Sequence, residues 1–431
     1  MKATSPLVFE KNLTCLARAA VTTLLLGMAQ NLAILATAPA NAQTYTVIHA
    51  FSGGGDGAYP QAGLTMDASG NFYGTTAGGF NVGNGNVFRL KRSGSSWLLV
   101  PLYSFAANND GTEPYGRVTV ATDGTLYGTT YATGDGGCCG TVFHLKPLPA
   151  APKSALAPWA ETILYRFAGP PNDGREPQGD LTVDSSGNIY GTTVYGGGAD
   201  AGTIYELTPS GGGWSETVLY SAHNDSTGGN PWGGVVFDKS GNLFGVFNTT
   251  GLGGAGAVYK LSPSGSSWTE QVVHAFQFSD GENPQGGLIL NPSGNLYGTT
   301  TLFGPGGGGT VFELMPANDG FTFSTLYGLG SPGGGPMEKL TMDAAGNLYG
   351  TTYAGGNYFY GSVFKLTPSS GGWTYTSLHD FCKGGLPCSD GAHPISGIVI
   401  DANGNLYGTT SRGGSNGCFG YGCGVVFEIT P

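Results

Sequence analysis

The sequence contains few charged residues, and basic residues are the scarcer kind. Only 10% of its 431 residues are charged, with 17 Lys and Arg against 28 Asp and Glu, and the formal net charge is −11. Because nucleic-acid binding depends on Lys and Arg contacts to phosphates, we expect no nucleic-acid partner. The sequence also has no P-loop, no His-Glu-x-x-His motif and no residue order typical of a Ser-His-Asp catalytic triad. None of these common motifs therefore indicates an enzymatic activity.

Long apolar runs are confined to the N-terminus. Basic residues within the first 18 positions precede an apolar stretch over residues 19–38, and a small-residue segment, 39–42, follows. This pattern is typical of a secretory signal peptide. We therefore expect residues 1–42 to be removed and residues 43–431 to be exported to the periplasm or beyond, as a monomer. No later run approaches the roughly 20 apolar residues of a spanning helix.

Cysteine is also scarce. Six cysteines follow the predicted signal peptide: Cys138, Cys139, Cys382, Cys388, Cys418 and Cys423. An even number in an exported protein indicates disulfides, and the close pairs Cys382/Cys388 and Cys418/Cys423 are the expected partners. Cys138 and Cys139 could form a vicinal disulfide or stay reduced. No histidine at ligand spacing accompanies these cysteines, so we predict no metal site.

Glycine is abundant, with 79 residues, and much of it belongs to a repeat. The segment Gly-Asn-Leu-Tyr-Gly-Thr-Thr recurs with small changes, and its second glycine stands at Gly74, Gly128, Gly191, Gly245, Gly298, Gly350 and Gly408. Such a period, at or slightly above the usual range of about 20–50 residues, indicates stacked or radial repeats.

Each unit is predicted to form four short strands, named a to d in chain order. In the first unit these are 63–67, 71–76, 86–90 and 97–105. Four antiparallel strands repeated radially are typical of a β-propeller.

The two ends of the repeat region predict how the ring closes. Residues 45–51 form a strand d with no unit before it, and 425–431 form a strand c with no strand d after it. Joined, they complete a seventh blade. We therefore predict an all-β, seven-bladed propeller as one domain over 43–431, with a Pro/Ala-rich insertion at 147–158.

The units resemble the GloVer tandem-repeat proteins. The resemblance rests on Gly-Asn-Leu-Tyr-Gly-Thr-Thr, Gly-Thr-Val-Phe-x-Leu and Asp-Gly-x-x-Pro, and it covers residues 44–431. It implies an exported propeller-like protein and carries no assigned activity. The Asp-x-x-Gly-Asn-Leu-Tyr element is similar to a hairpin of propellers that include lactonases and lyases, a likeness of fold alone.

Candidate site residues lie on the face formed by the d–a and b–c connections, which we call the loop face. At the start of strand a, four units have glycine, whereas the others have Arg117, Asp180 and Lys339. Strand a lines the central channel of a propeller, so these charges mark its mouth. Arg117 and Asp180 belong to adjacent units and could pair with each other.

Two histidines in d–a loops, His223 and His393, lie outside the repeat pattern. Imidazole is a natural general acid or base near neutral pH, and Arg412 lies in the same unit as His393. In contrast, His49, His274 and His379 take a strand d position that is tyrosine elsewhere, so we expect them to pack. His144 is predicted to lie at the surface.

Other ligand-binding candidates on the loop face are Glu113, Arg175, Glu176, Glu282, Tyr131, Tyr195 and Tyr353. Five Asp-Gly pairs also lie in the d–a loops. Calcium takes six to eight oxygen ligands and each loop offers about one, so we interpret these aspartates as turn residues, with calcium as the weaker alternative. No cofactor is predicted.

The pattern predicts a recognition or scaffold module that binds carbohydrate or a cell-surface ligand on the loop face. The alternative is an enzyme acting on extracellular polysaccharide, a lyase or a glycosidase, with its site at the channel mouth. His393, Arg412, Arg117, Asp180 and His223 are its candidate catalytic residues.

Overall fold

Seven four-stranded antiparallel sheets form the blades of a β-propeller in the computed structural model. The structure describes residues 43–78, 83–134, 137–148, 159–249, 254–330 and 334–431. The predicted signal peptide and residues 149–158 of the predicted insertion lie outside the described residues. Residues Thr44–Thr430 form one compact unit.

Each blade has one strand of each type, a to d, and the bounds below run from blade one to blade seven. Strand a comprises Thr65–Met66, Thr119–Val120, Thr182–Val183, Val236–Phe237, Ile289–Leu290, Thr341–Met342 and Val399–Ile400. Strand b comprises Phe72–Thr76, Leu126–Thr130, Ile189–Thr193, Leu243–Phe247, Leu296–Thr300, Leu348–Thr352 and Leu406–Thr410. Strand c comprises Asn86–Ser93, Thr141–Pro147, Thr203–Ser210, Ala257–Ser264, Gly307–Ala317, Ser362–Ser369 and Val425–Thr430. Strand d comprises Ser96–Ser104, Trp159–Arg166, Gly213–Ser221, Ser267–Ala275, Gly320–Gly330, Gly372–Asp380 and Thr44–Ala50. Two short elements in the loops are the ribbon Gly174–Arg175 with Tyr195–Gly196, and the 3₁₀ turn Cys418–Gly420.

The predicted ring closure is confirmed. The first strand, Thr44–Ala50, pairs antiparallel with the last, Val425–Thr430, in a register that places Tyr45 opposite Ile429 and Ala50 opposite Val425. Blade seven is therefore assembled from both ends of the repeat region. Closing the ring pairs the strand edges that an open array would expose.

The repeat motif is explained by close packing inside each blade. Gly298 of Tyr-Gly-Thr-Thr lies under the ring of Phe312 on strand c, and a Cβ there would stand 2.5 Å from the Phe312 ring. The first threonine bonds to the next blade, as Thr351 does to the Ser396 carbonyl at 2.7 Å. The second bonds to strand c of its own blade, as Thr300 does to Thr310 at 2.8 Å. The motif thus holds a blade together and links it to its neighbour.

The aspartates of the Asp-Gly pairs take the predicted turn role. Asp280 accepts a hydrogen bond from the Gln277 backbone N–H at 2.7 Å and lies 3.1 Å from Nε2 of His274 on strand d. His49 and His379 contact Asp56 and Asp390 in the same way. These three histidines are half-buried packing residues, as predicted.

The hydrophobic core lies between adjacent blades. In one cluster, Tyr73 and Val87 of blade one pack with Val118, Leu126 and Phe143 of blade two. The expectation for His144 was wrong in one respect. It is half-buried, stacked on Tyr127 with ring centroids 4.5 Å apart, because position three of strand c faces the tyrosine of strand b rather than open solvent.

Three disulfides link the six cysteines, Cys382–Cys388, Cys418–Cys423 and the vicinal Cys138–Cys139. The two predicted pairs are confirmed, and the question left open for Cys138 and Cys139 is settled in favour of the bond. Disulfides fit an extracellular or periplasmic protein. None of the helical segments in the described ranges is long and apolar enough to cross a membrane.

Candidate functional site

Four charged residues at the start of strand a form a layer across the central channel. Arg117 Nε lies 3.6 Å from Asp180 Oδ2, and Arg117 Nη2 lies 3.7 Å from Glu338 Oε2. The Arg117 backbone N–H also donates to Asp180 Oδ1 at 3.3 Å. Lys339 adjoins Glu338. Arg117 therefore joins blade two to blades three and six, and its predicted pairing with Asp180 is present.

The glycines at the equivalent positions make room for the Arg117 side chain. A Cβ on Gly63 would stand 2.5 Å from Arg117 Nη2, and one on Gly397 would stand 2.8 Å from it. The mixture of glycine and charge at this level is thus a packing requirement. One long side chain fills the space that other blades leave open.

The charged layer separates two cavities. The cavity on the loop face, of about 200 Å³, is lined by Arg117, Asp180 and Glu338. The cavity on the other side, lined by strand a residues, includes Arg117, Asp180 and Lys339. We call the loop-face cavity the pit.

Burial shifts the pKa values of Glu338 and Lys339 in the directions that favour their neutral forms. It raises the pKa of Glu338 well above its usual value, the neighbouring Asp180 charge raises it further, and Arg117 opposes both. Burial likewise lowers the pKa of Lys339. Glu338 can therefore hold a proton at neutral pH and donate a hydrogen bond from its carboxyl group.

The wall of the pit consists of residues that follow the proline of each d–a loop, one from every blade: Gln61, Tyr115, Gln178, Trp232, Gln285, Met337 and Ile395. The wall therefore has three amide, two aromatic and two aliphatic side chains. The charged side chains of the pit lie only at its floor. Gln285 Oε1 is buried and has no hydrogen-bond partner among the described residues. Arg117 Nε and Nη2 are also buried and make no hydrogen bond, only the ion-pair contacts to Asp180 and Glu338. Buried polar atoms that lack hydrogen bonds are costly unless something binds them.

A ring of strained backbone surrounds the pit. The residue before each loop proline has a positive φ, between 54° and 62°: Tyr59, Glu113, Glu176, Asn230, Asn283, Gly335 and His393. For non-glycine residues, and for Tyr and Glu above all, this conformation is uncommon and tends to cluster at functional sites.

Hydrogen bonds from two neighbouring loops hold each of these residues in place. The His393 N–H donates to the Tyr360 carbonyl at 2.8 Å, and the His393 carbonyl accepts from the Ser411 N–H at 3.2 Å. The same pair of bonds recurs at Glu176. Its N–H donates to the Cys139 carbonyl, and its carbonyl accepts from the Val194 N–H. The backbone therefore directs the rim side chains before any ligand arrives.

On blades two and three the rim is acidic and aromatic. Tyr115 donates to Glu113 at 2.8 Å. Arg175 contacts Glu176, binds Asp200 in a bidentate pair at 3.0 and 3.1 Å, and lies 4.5 Å from the centre of the Tyr195 ring.

Tyr131, also on this side, packs edge-on against Tyr115 with ring centroids 5.3 Å apart. Burial, followed by its hydrogen bond to Glu176, raises the pKa of Tyr131 to about 12. Its hydroxyl is therefore protonated at neutral pH.

On blades six and seven the rim is basic. His393 stacks on Tyr353 with ring centroids 4.6 Å apart, and its Nδ1 lies 3.0 Å from the Tyr353 carbonyl. Burial lowers the pKa of His393, and the neighbouring Arg412 lowers it further.

A recess of about 250 Å³ lies on this side of the rim. It is lined by Tyr59, Gln61, Tyr353, Ile395, Ser411, Arg412 and Tyr421. Gln61 and Ile395 line both recess and pit, so the two adjoin.

The remaining predicted residues are not brought to this centre. His223 is exposed and only edges the Tyr220 ring at 5.9 Å between centroids. Glu282 pairs through its backbone with Leu302 in blade five. No group of three or more His, Cys, Asp or Glu within the described ranges is arranged to hold a metal ion.

Sequence reasoning missed the wall of the pit. Gln61, Gln178, Gln285 and Trp232 share one position, directly after the proline of Asp-Gly-x-x-Pro or its equivalent. Alignment of the repeats on that proline would have identified the position as variable and channel-facing. The positive φ values around it left no comparable signal, because Tyr and Glu seldom adopt them.

Three overlapping segments, residues 21–236, 150–321 and 234–431, match the Gloeobacter/Verrucomicrobia repeat family. No curated protein sequence matches the chain.

Among solved structures, a surface component of the type IX secretion system of Porphyromonas gingivalis, PorZ, is similar with a TM-score of 0.51 and 13% identity. It is matched over 88% of this chain and 47% of that one. A putative oxidoreductase (glucose dehydrogenase) from Thermus thermophilus has a TM-score of 0.44 and 14% identity, over 90% of this chain and 100% of that one. The PQQ-bound aldose sugar dehydrogenase of Streptomyces coelicolor has a TM-score of 0.43 and 12% identity, over 91% and 100%. At 13% identity, the similarity to PorZ shows the fold alone.

Proposed function

The chain belongs to the Gloeobacter/Verrucomicrobia repeat family, and we propose that it is an exported recognition or scaffold propeller. Its loop face binds carbohydrate or a carbohydrate-bearing cell-surface ligand. Export through the predicted signal peptide, residues 1–42, is part of this proposal. The three disulfides support it.

The observation that carries the proposal is the position of exposed apolar side chains. Among the described residues, the exposed large hydrophobics on the loop face are Tyr195, Phe278, Leu302, Phe303, Tyr358, Phe359, Leu386, Phe419 and Tyr421. Only Leu98, Leu148 and Met315 are exposed elsewhere in the described ranges. Exposed apolar groups gathered on one face mark a binding surface.

Carbohydrate suits the chemistry of this face. A sugar ring has apolar C–H faces and hydroxyl edges, so it needs aromatic surface beside amide and carboxylate groups. In the pit, Tyr115 and Trp232 supply the aromatic surface, and Gln61, Gln178 and Gln285 supply the amide groups. The scarcity of basic residues on a chain of net charge −11 disfavours polyanions.

Retention on immobilised neutral and acidic polysaccharides tests this proposal. We expect the purified protein to be retained by at least one polysaccharide and Leu302→Ser to weaken retention. Leu98→Ser is the matched control, because Leu98 is similarly exposed, at 50% against 45%, but lies on strand d away from the loop face. Equal retention of the two variants contradicts the assignment of the face, and no retention by any polysaccharide contradicts the proposal.

An extracellular polysaccharide lyase is the second candidate, and the environment of His393 favours it. The Tyr353 carbonyl accepts a hydrogen bond from Nδ1–H, which leaves Nε2 as the basic nitrogen of a neutral imidazole. Arg412 lines the recess beside Tyr353 and is near enough to His393 to lower the pKa of its imidazole. It would neutralise the carboxylate of an acidic sugar while the base removes the adjacent proton.

Depolymerisation of the same polysaccharides distinguishes the two candidates. Cleavage that is lost in His393→Ala would make the protein an enzyme with its centre on blade seven. Cleavage that survives would keep the enzyme and discard this site. Retention without cleavage leaves recognition as the function.

A further inference from the structure

We propose that the pit binds one neutral sugar ring at the end of a glycan chain or branch. This inference rests on the proposed function and names its ligand class. It comes from the size of the pit, from its closed floor and from polar atoms of its floor and wall that lack hydrogen bonds.

The size of the pit admits a single ring. Its volume is about 200 Å³, whereas pockets that enclose drug-sized ligands measure roughly 300–1,000 Å³. An oligosaccharide segment therefore does not fit inside.

The floor of the pit limits how a glycan can enter. Arg117 crosses from blade two to Asp180 and Glu338 and separates the pit from the channel beyond. A polymer cannot thread through this layer, and an internal sugar would need two exits from a pit that opens only on the loop face. A sugar at a chain end or branch tip needs only one exit, toward the loop face.

Polar atoms that lack hydrogen bonds match the hydroxyl groups of a sugar. Arg117 has buried N–H groups at Nε and Nη2 that make ion-pair contacts at 3.6 and 3.7 Å but no hydrogen bond. Gln285 Oε1 is a buried acceptor without a hydrogen-bond partner among the described residues. A hydroxyl can accept from one group and donate to the other at the same time. Trp232, in the same wall, offers an apolar face to the ring.

The charge of the floor favours a neutral ring over an acidic one. The guanidinium of Arg117 already has a carboxylate oxygen within 4 Å on each side, from Asp180 and Glu338. The carboxylate of a uronate would lie near Asp180 as well as Arg117. Repulsion between the two carboxylates at short range would weaken its binding. A hydroxyl carries no such penalty.

Calorimetric titration of the purified full chain tests the inference with defined probes. The probes are the methyl glycosides of glucose, galactose and mannose, and those of glucuronic and galacturonic acid. We expect saturable binding of at least one neutral glycoside at one site per chain. Gln285→Leu should weaken it at least about tenfold, the effect of losing a buried hydrogen bond in a site. Trp232→Ala should weaken it as well.

Gln277→Leu is the matched control. Gln277 is exposed on a d–a loop of the same face, outside the pit, so this variant should keep its affinity and report any general effect of the substitution. Thermal melting of all variants confirms that they are folded.

Four results would overturn the inference. Tighter binding of the uronic glycosides would exclude a neutral ligand. Undiminished binding by Gln285→Leu would place the sugar outside the pit. Retention of long glycans without binding of any methyl glycoside would mean that the rim binds internal segments, with the proposed function intact. If no glycan is retained at all, the proposed function fails together with this inference.

Discussion

The imidazole of His379 lies flat on the ring of Tyr45, with ring centroids 3.7 Å apart and an interplanar angle of 9°. His379 belongs to strand d of blade six, and Tyr45 belongs to the strand that closes blade seven. Tyr45 also packs against Phe381 and Phe427 and donates its hydroxyl hydrogen to the Asp390 carbonyl. A single side chain thus joins the first strand to the last two blades of the ring.

Truncation of this side chain should destabilise the propeller. Tyr45→Ala removes a stacked ring and leaves a cavity between blades, which should cost about 3 kcal/mol. Urea unfolding measures the loss. Tyr358→Ala is the control, since Tyr358 is exposed in a b–c loop, and we expect a cost below about 0.5 kcal/mol. Equal costs would show that ring closure does not depend on Tyr45.

The glycine of Tyr-Gly-Thr-Thr should not tolerate a methyl group. Gly298→Ala places a Cβ 2.5 Å from the Phe312 ring, and we expect the overpacking to cost about 1–3 kcal/mol. Gly371→Ala, at a turn with nothing within 4 Å of the added atom, should leave the free energy of unfolding nearly unchanged. A harmless Gly298→Ala would refute the packing explanation of the repeat.

Stability should fall as pH rises from mildly acidic values to neutrality because of three half-buried glutamates. Burial raises the pKa of Glu161, Glu216 and Glu270 to about 7. Since the folded state holds their protons more tightly than the unfolded state, folding is favoured at low pH, and this contribution is lost between the usual glutamate pKa and about 7.

Glu216→Gln isolates this effect. Relative to the variant, the wild type should lose about 1 kcal/mol between pH 5 and 8, a figure reduced for solvent screening. Chemical unfolding at each pH measures it. A difference between wild type and variant that stays constant with pH would contradict the shifted pKa.

The charged layer should behave as one unit. Arg117→Met removes the guanidinium that contacts both Asp180 and Glu338, which should cost about 3 kcal/mol. The double variant Arg117→Met/Asp180→Asn should cost clearly less than the sum of its single changes, because the partners are in contact. Additive costs in a double-mutant cycle would mean that the pair does not interact.

The blade number, the ring closure and two disulfides could be predicted from the sequence because each rests on a pattern that recurs with the repeat or on cysteines close together in the chain. The proximity of Arg117 and Asp180 was also predictable, since they hold the same position in adjacent units. The reach of Arg117 to Glu338 was not, because it depends on the length of a side chain crossing an open channel. The wall at Trp232 and Gln285 was missed for another reason: variable residues leave no periodic signal.

A crystal structure of the protein with a glycan that it retains tests the central claim most directly. The account predicts one sugar ring in the pit, on Trp232 and hydrogen-bonded to Gln285 and Arg117, with the rest of the glycan leaving over the loop face. A sugar bound at the a–b and c–d hairpins, on the opposite face of the propeller, would contradict it.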